Sequence, residues 1–163
     1  MTLSTHAAAG IMIAEWTGNP LLGFLIAIMS HYLLDMVPHG DEFVYWRYIH
    51  NKDDRIAKTA GTVDILVLSL MLTLLLTYGD DFHGSLTLLG ALGGTLPDLL
   101  INIDSVLRRH PPKSRVGRAG EWLIKKHYTM HMFFHQLLFI PVRYRMALFL
   151  QLIAITLFLT FAI

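Results

Sequence analysis

Long stretches of this chain, 16 to 34, 65 to 79, 82 to 97, 127 to 142 and 146 to 163, contain no Asp, Glu, Lys or Arg. A helix needs about 20 apolar residues to cross the hydrocarbon core of a bilayer, with a range of about 17 to 25. The first and last stretches approach that length unaided. The second and third reach it only if their helices run on through Asp64 and Asp98, near 62 to 79 and 84 to 103, with a carboxylate inside each. Charged residues are 15% of the chain, against roughly 25% in an ordinary soluble domain, so a membrane-embedded chain is expected. Its 163 residues fit a single domain, 1 to 163, with no internal repeat or long linker. No cationic segment precedes Met1-Thr2-Leu3-Ser4-Thr5-His6, so the start does not read as a cleaved signal peptide.

The cations orient the chain. Arg47, Lys52, Arg55 and Lys58 follow the first long stretch, and Arg108, Arg109, Lys113, Arg115, Arg118, Lys125 and Lys126 follow the third, so both loops are expected in the cytoplasm. The turn from Gly79 to Gly84 has neither Lys nor Arg and belongs outside. The region 119 to 140 has cations before and after it, and reads as an interfacial or re-entrant helix rather than a spanning one. With 13 basic and 12 acidic side chains the formal net charge is +1, too small for general attraction to nucleic acid. The absence of cysteine removes thiolate chemistry and confines any metal to His nitrogen and carboxylate oxygen.

Nine histidines remain to be placed. Thr17-Gly18-Asn19-Pro20 is a turn signal; if it closes a helical hairpin, His6 and His31, each eleven residues from the turn, meet at one depth. Asp64 and Asp98 lie at matching depths on the second hairpin. His31 and Asp35 share a helix face, and Pro38 ends that helix so that His39 and Asp41 can fold back toward it. His127, His131 and His135 recur at four-residue spacing along one face. Ionisable side chains within apolar spans are costly enough to suggest function. Plainer readings stand beside this one: a hydrogen-bonded pair for His31 and Asp35, a polar headgroup stripe for the three later histidines, and capping or ion pairing for Asp64 and Asp98. His50, His83 and His110 read as ordinary core or interfacial residues. Gly90, Gly93 and Gly94 suit close helix packing.

The residues Leu3 to Gly10, Ser30 to Asp41, Val63-Asp64, Leu96-Pro97-Asp98 and His131-Met132-Phe133-Phe134-His135 resemble the membrane-bound metal-dependent hydrolase family, a group that includes LexA-regulated inner-membrane hydrolases. The resemblance runs from residue 3 to about 136, and its most specific element is His31-x-x-x-Asp35-x-x-Pro38-His39. It implies a multi-pass protein of the inner membrane with a His and Asp metal cluster that cleaves phosphoesters, distantly like zinc-dependent phospholipase C. In that family a further acid and His often follow the Pro-Asp element. Here Leu99, Leu100 and Ile101 follow it, so the number of ions, one or two, stays open.

The expectation is therefore an all-α polytopic membrane bundle with an N-terminal helical hairpin and a His-bearing interfacial or re-entrant helix. The metal ligands are expected to be His6, His31, Asp35, His39, His131 and His135, holding zinc or else manganese or iron. Asp64 and Asp98 are the catalytic candidates, and Arg108 and Arg109 the anchors for a substrate head group. The expected substrate is a phosphoester of a lipid or other amphiphile, cleaved at the cytoplasmic face. The alternative is a metal-ion transporter or metal-sensing membrane protein using the same ligands. Single-cysteine labelling in intact cells tests the orientation: a cysteine at Asp81 reacts with an impermeant reagent from outside, and cysteines at Lys58 and Lys113 do not. Labelling of position 81 from inside only overturns both the topology and the common depth.

Overall fold

The computed structural model describes residues 1–40, 55–138 and 140–163. Among these the chain is all helical: α1 Leu3–Thr17, α2 Pro20–Asp35, α3 Arg55–Tyr78, α4 Gly84–Arg109, α5 Arg115–Leu137 and α6 Tyr144–Thr160. Asp41 and His50 lie outside the described residues. The N-terminal hairpin forms where the turn signal places it. Gly18 adopts φ 59°, a left-handed conformation that closes α1, and the Asn19 side chain accepts from the Leu21 and Leu22 amides to open α2. Pro20 occupies the first turn, where its missing N–H costs nothing. At the other end α2 stops at Asp35, before Pro38.

Helices α3 and α4 are long and apolar enough to cross a membrane by length and composition. The α3 span is almost wholly unburied by protein, with Val63, Ile65, Leu66, Leu70, Leu74 and Leu76 all exposed. The centre of the molecule is α1, which packs against α2, α4, α6 and α3. Its residues Ala7, Ala8 and Ile11 form an apolar cluster with Met71 of α3 and Ala91 of α4.

Such close approach depends on small residues. A Cβ on Gly10 would strike the Gly90 carbonyl, one on Gly90 the Gly10 carbonyl, and one on Gly94 the His6 carbonyl. The stripe Gly90 and Gly94 therefore lets α4 lie backbone to backbone with α1, the small-xxx-small contact expected between helices in lipid. This contact brings the His6 turn of α1 against the part of α4 that carries Pro97 and Asp98.

Gly94→Val is expected to destabilise the fold by about 1–3 kcal/mol or more, because backbone rather than a flexible side chain must give way. Gly120→Ala, at a helical position with nothing within 4 Å of the added carbon, is expected to be neutral or to stabilise by up to about 1 kcal/mol. Denaturant unfolding in detergent micelles compares the two; equal stability would show that the α1 and α4 backbones do not need this approach.

Candidate metal centre

Four helices and one loop bring the polar residues together. Helix α1 supplies His6, α2 His31 and Asp35, α4 Asp98, α5 His131 and His135, and the segment after α2 His39. The rings of His6 and His31 stack at 3.8 Å between centroids, as the hairpin count requires. His6, His31, Asp35, His39 and His131 are each more than nine-tenths buried. His135 is half-buried, and Asp98 keeps 22% of its side chain exposed.

The Asp35 carboxylate is the hub. Its Oδ1 accepts from His6 Nε2 at 3.0 Å, and the Met1 amine lies 3.2 Å from the same oxygen. Its Oδ2 faces three imidazole Nε2 atoms: His31 at 3.0 Å, His135 at 3.1 Å and His131 at 3.4 Å. Asp98 Oδ1 stands 3.7 Å from His31 Nε2 and 3.5 Å from His131 Nε2. An ion with tetrahedral bonds of about 2.0–2.1 Å sets its ligand atoms about 3.3–3.4 Å apart. The four separations that link His31, Asp35, Asp98 and His131 bracket that value, from 3.0 to 3.7 Å. In this group, and in a second made of Asp35, His39 and His135, the ligating atoms all lie within 4.8 Å of one another. Because Asp35 belongs to both, the arrangement suits one ion or two sharing a carboxylate.

Hydrogen bonding around the cluster fixes which nitrogen points inward. His31 Nδ1 donates to the Gly94 carbonyl at 2.6 Å, and His39 Nδ1 donates to the Val37 carbonyl at 2.6 Å. Each thereby leaves Nε2 as the nitrogen turned toward the cluster, the arrangement of ligating histidines. His31 Nε2 and Asp35 Oδ2 are buried, and neither has a hydrogen-bond partner among the described residues. At 3.0 Å these two atoms need a shared proton or a metal ion between them. Burial pushes the His131 imidazole down to about 3, so it is neutral at physiological pH, the state in which imidazole ligates. These residues could hold a metal ion through His nitrogen and carboxylate oxygen.

Other expected site residues take different places. Asp64 lies at the N-terminus of α1: its oxygens accept from Leu3 N at 2.6 Å, Ser4 N at 3.1 Å and Ser4 Oγ at 2.5 Å. A carboxylate there satisfies amides that have no partner within the helix and matches the helix dipole. It holds the turn that presents His6 and belongs to neither potential ligand group. Arg108 donates to Asp104 Oδ2 at 2.5 Å, and its guanidinium lies 4.6 Å from the centre of the Tyr128 ring. Arg109 is exposed beside it. His83 sits apart, its Nδ1 2.9 Å from Glu15 Oε2.

Two contributors escaped the sequence reading. Gln151 of α6 accepts from Thr2 N at 2.7 Å and donates to the His39 carbonyl at 3.2 Å, tying the His39 segment to the start of α1. Its signal was available, since it is the one amide side chain in the charge-free stretch 146 to 163. The Gly94 carbonyl had no such signal, because only the packing of α2 on α4 brings a main-chain acceptor to His31. Compared with family models, curated proteins and solved structures, the chain matches none.

His31→Ala and His131→Ala are expected to lower the transition-metal content of the purified protein to a small fraction of the parent's, and His83→Ala to leave it unchanged. His6→Ala, which removes a hydrogen bond to Asp35, is expected to weaken metal affinity about 10- to 100-fold. Elemental analysis after dialysis against a graded chelator reads all four. Equal metal in all of them would remove the site.

Proposed function

We propose that this chain is a membrane-embedded, metal-dependent hydrolase that cleaves a phosphoester of a lipid or other amphiphile, with the cluster at the cytoplasmic end of its helices. The observation that carries the reading is the convergence of His31, Asp35, Asp98 and His131, with His39 and His135 sharing Asp35, in a centre closed on most sides and open at Asp98. The same residues carry the resemblance to membrane-bound metal-dependent hydrolases. A zinc-type ion held by these residues would supply a Lewis acid that polarises a phosphoryl oxygen and lowers the pKa of water to about 7.

The protein's own groups do the remainder. His6 holds Asp35 Oδ1 so that Oδ2 faces the histidines, and the Gly94 carbonyl holds His31 in one tautomer. Asp98, the more exposed acid of the group, takes the proton of the attacking water on the carboxylate oxygen that does not face His31 and His131, and passes it to the oxygen of the leaving alcohol as its bond to phosphorus breaks. Asp64 acts at one remove, through the α1 turn that carries His6.

Membrane placement is supported by the two spanning-length helices and by α5. That helix exposes Val116, Leu123, Met130 and Leu137 at seven-residue intervals, with Trp122 and Phe133 beside them, among Arg115, Arg118, Lys125 and Lys126. An apolar stripe edged by cations suits a helix lying in the headgroup region of an anionic leaflet.

Hydrolysis is favoured over ion transport by what lies between the cluster and the other end of α1. From His6 to Glu15 the buried residues of α1 are Ala7, Ala8, Ala9, Gly10, Ile11 and Ala14, packed directly on the Gly90 and Gly94 backbone. A path for ions needs polar groups along its length.

Proteoliposomes assayed in parallel for phosphate-ester cleavage and for metal uptake test the reading. Cleavage is expected to vanish with chelation and to return with zinc or manganese. Asp98→Asn is expected to lower kcat about 10²- to 10⁴-fold, the usual contribution of a positioned general base. Metal uptake without cleavage would assign the protein to transport instead.

A further inference from the structure

Beyond the ligand atoms of the cluster, the interface of α4 and α5 buries further polar atoms without a hydrogen-bond partner among the described residues. These are His131 Nδ1, both ring nitrogens of His127, and Asp104 Oδ1. Asp104 is only 2% exposed, and its other oxygen accepts from Arg108 Nε at 2.5 Å. His127 belongs to neither potential ligand group. A buried donor or acceptor left unsatisfied costs about 1–3 kcal/mol, so several in one interface call for a common explanation.

The contacts on either side place these residues relative to one another. Asp98 Oδ1 is 3.5 Å from His131 Nε2, and the Arg108 guanidinium is 4.6 Å from the centre of the Tyr128 ring, so α5 runs antiparallel to α4. His127 lies one turn before His131 on α5, and Asp104 one turn before Arg108 on α4, so both fall between those two contacts. The His127 and His131 rings are 5.8 Å apart and tilted by 53°. Burial and the His31 side chain lower the His127 pKa, and the Asp104 carboxylate acts against them.

Donors and acceptors then match. A neutral imidazole has one donor and one acceptor nitrogen, and a carboxylate only accepts. A His131 that ligates through Nε2 carries its proton on Nδ1, which makes that atom a donor. A neutral His127 accepts from it with one nitrogen and donates to Asp104 with the other, so two hydrogen bonds satisfy every one of these atoms. Turning the His127 ring to make them costs little, because the terminal torsion of histidine is broad. Ligating histidines characteristically donate their outer N–H. His31 and His39 have the Gly94 and Val37 carbonyls for this, and His131 has no carbonyl in that place.

We infer that His127 is a positioning residue of the metal centre, accepting a hydrogen bond from His131 Nδ1 and donating one to Asp104 Oδ1, with Arg108 holding the far end of the chain. The inference rests on the metal centre of the proposed hydrolase and not on its reaction. It gives Arg108 the task of fixing Asp104 in place of anchoring a substrate head group.

The test is zinc binding by the full chain in detergent micelles, read by chelator competition. His127→Phe keeps a ring and removes both nitrogens, whereas His127→Gln restores one acceptor and one donor. His127→Phe is expected to weaken zinc affinity about 10- to 100-fold, and His127→Gln to stay within about threefold of the parent. Asp104→Leu is expected to match His127→Phe, and the double variant to lose no more than either, since the two act as one unit. Histidine nitrogen-15 NMR of the zinc-loaded parent is expected to show a His131 Nδ1 proton protected from exchange, lost in His127→Phe and kept in His127→Gln.

Equal affinity and an unchanged His131 signal in His127→Phe would reduce His127 to a space-filling residue. A His127→Gln no better than His127→Phe would do the same, and additive losses would detach Asp104 from the chain. Should His127→Phe express poorly, the parent alone decides: a His131 Nδ1 proton exchanging as fast as that of the exposed His110 overturns the inference. The expected affinities and signal in a protein that cleaves no phosphoester leave the role of His127 standing and overturn only the hydrolase reading. A parent that binds no zinc overturns both.

Discussion

A carboxylate buried among imidazoles sets the terms for the rest of this molecule. Asp35 is about as deeply buried as any residue of the core, and an isolated charge there would cost many kcal/mol. The groups that face it come from elements far apart in the chain: His6 of α1 donates to one oxygen, and His31 of its own helix and His131 and His135 of α5 stand where a shared cation would offset its charge. Each of these helices must therefore arrive in one register, within a few tenths of an ångström, or leave the charge unpaired. The cluster constrains the fold as much as the fold constrains the cluster.

Two devices provide that register, and both lie outside the cluster. Glycines on α1 and α4 bring main chains into direct contact, and this places the Gly94 carbonyl where it can take the His31 proton. Asp64 and Gln151 pin the start of α1 from α3 and α6. Hydrogen bonds of this kind are valuable in an apolar surrounding because the polar groups have no water to fall back on. The cost is specificity of packing, since neither a larger residue at Gly94 nor an apolar one at Asp64 leaves the His6 turn where it is.

Helices α2 and α4 make the most extensive contacts with α1, and α3 and α6 complete its apolar cluster through Leu68, Leu72 and Leu75 on one and Ile155, Phe158 and Leu159 on the other.

Much of this was legible in the order of residues. Charge-free stretches and their flanking turns gave the helices, because the backbone in an apolar medium has few alternatives to helix and because Gly18, Asn19 and Pro38 act locally. The helices nonetheless extend beyond the stretches, α3 starting at Arg55 and α4 running to Arg109, since a helix continues into the polar region where water again satisfies its ends. Four-residue spacings placed His31 with Asp35 and His131 with His135, because helical periodicity is a local rule. Spacing alone did not separate Asp98 from Asp64. Both are lone carboxylates at matched depth on one hairpin, yet they face different helices, so one joins the histidines and the other caps α1. The sequence by itself determined which residues can carry metal chemistry and at what depth they lie, since these depend on residue type and rise per residue. Only the tertiary structure decided which of them meet and which nitrogen each histidine presents, since rotation of one helix about its axis against another is fixed by packing between residues distant in the chain.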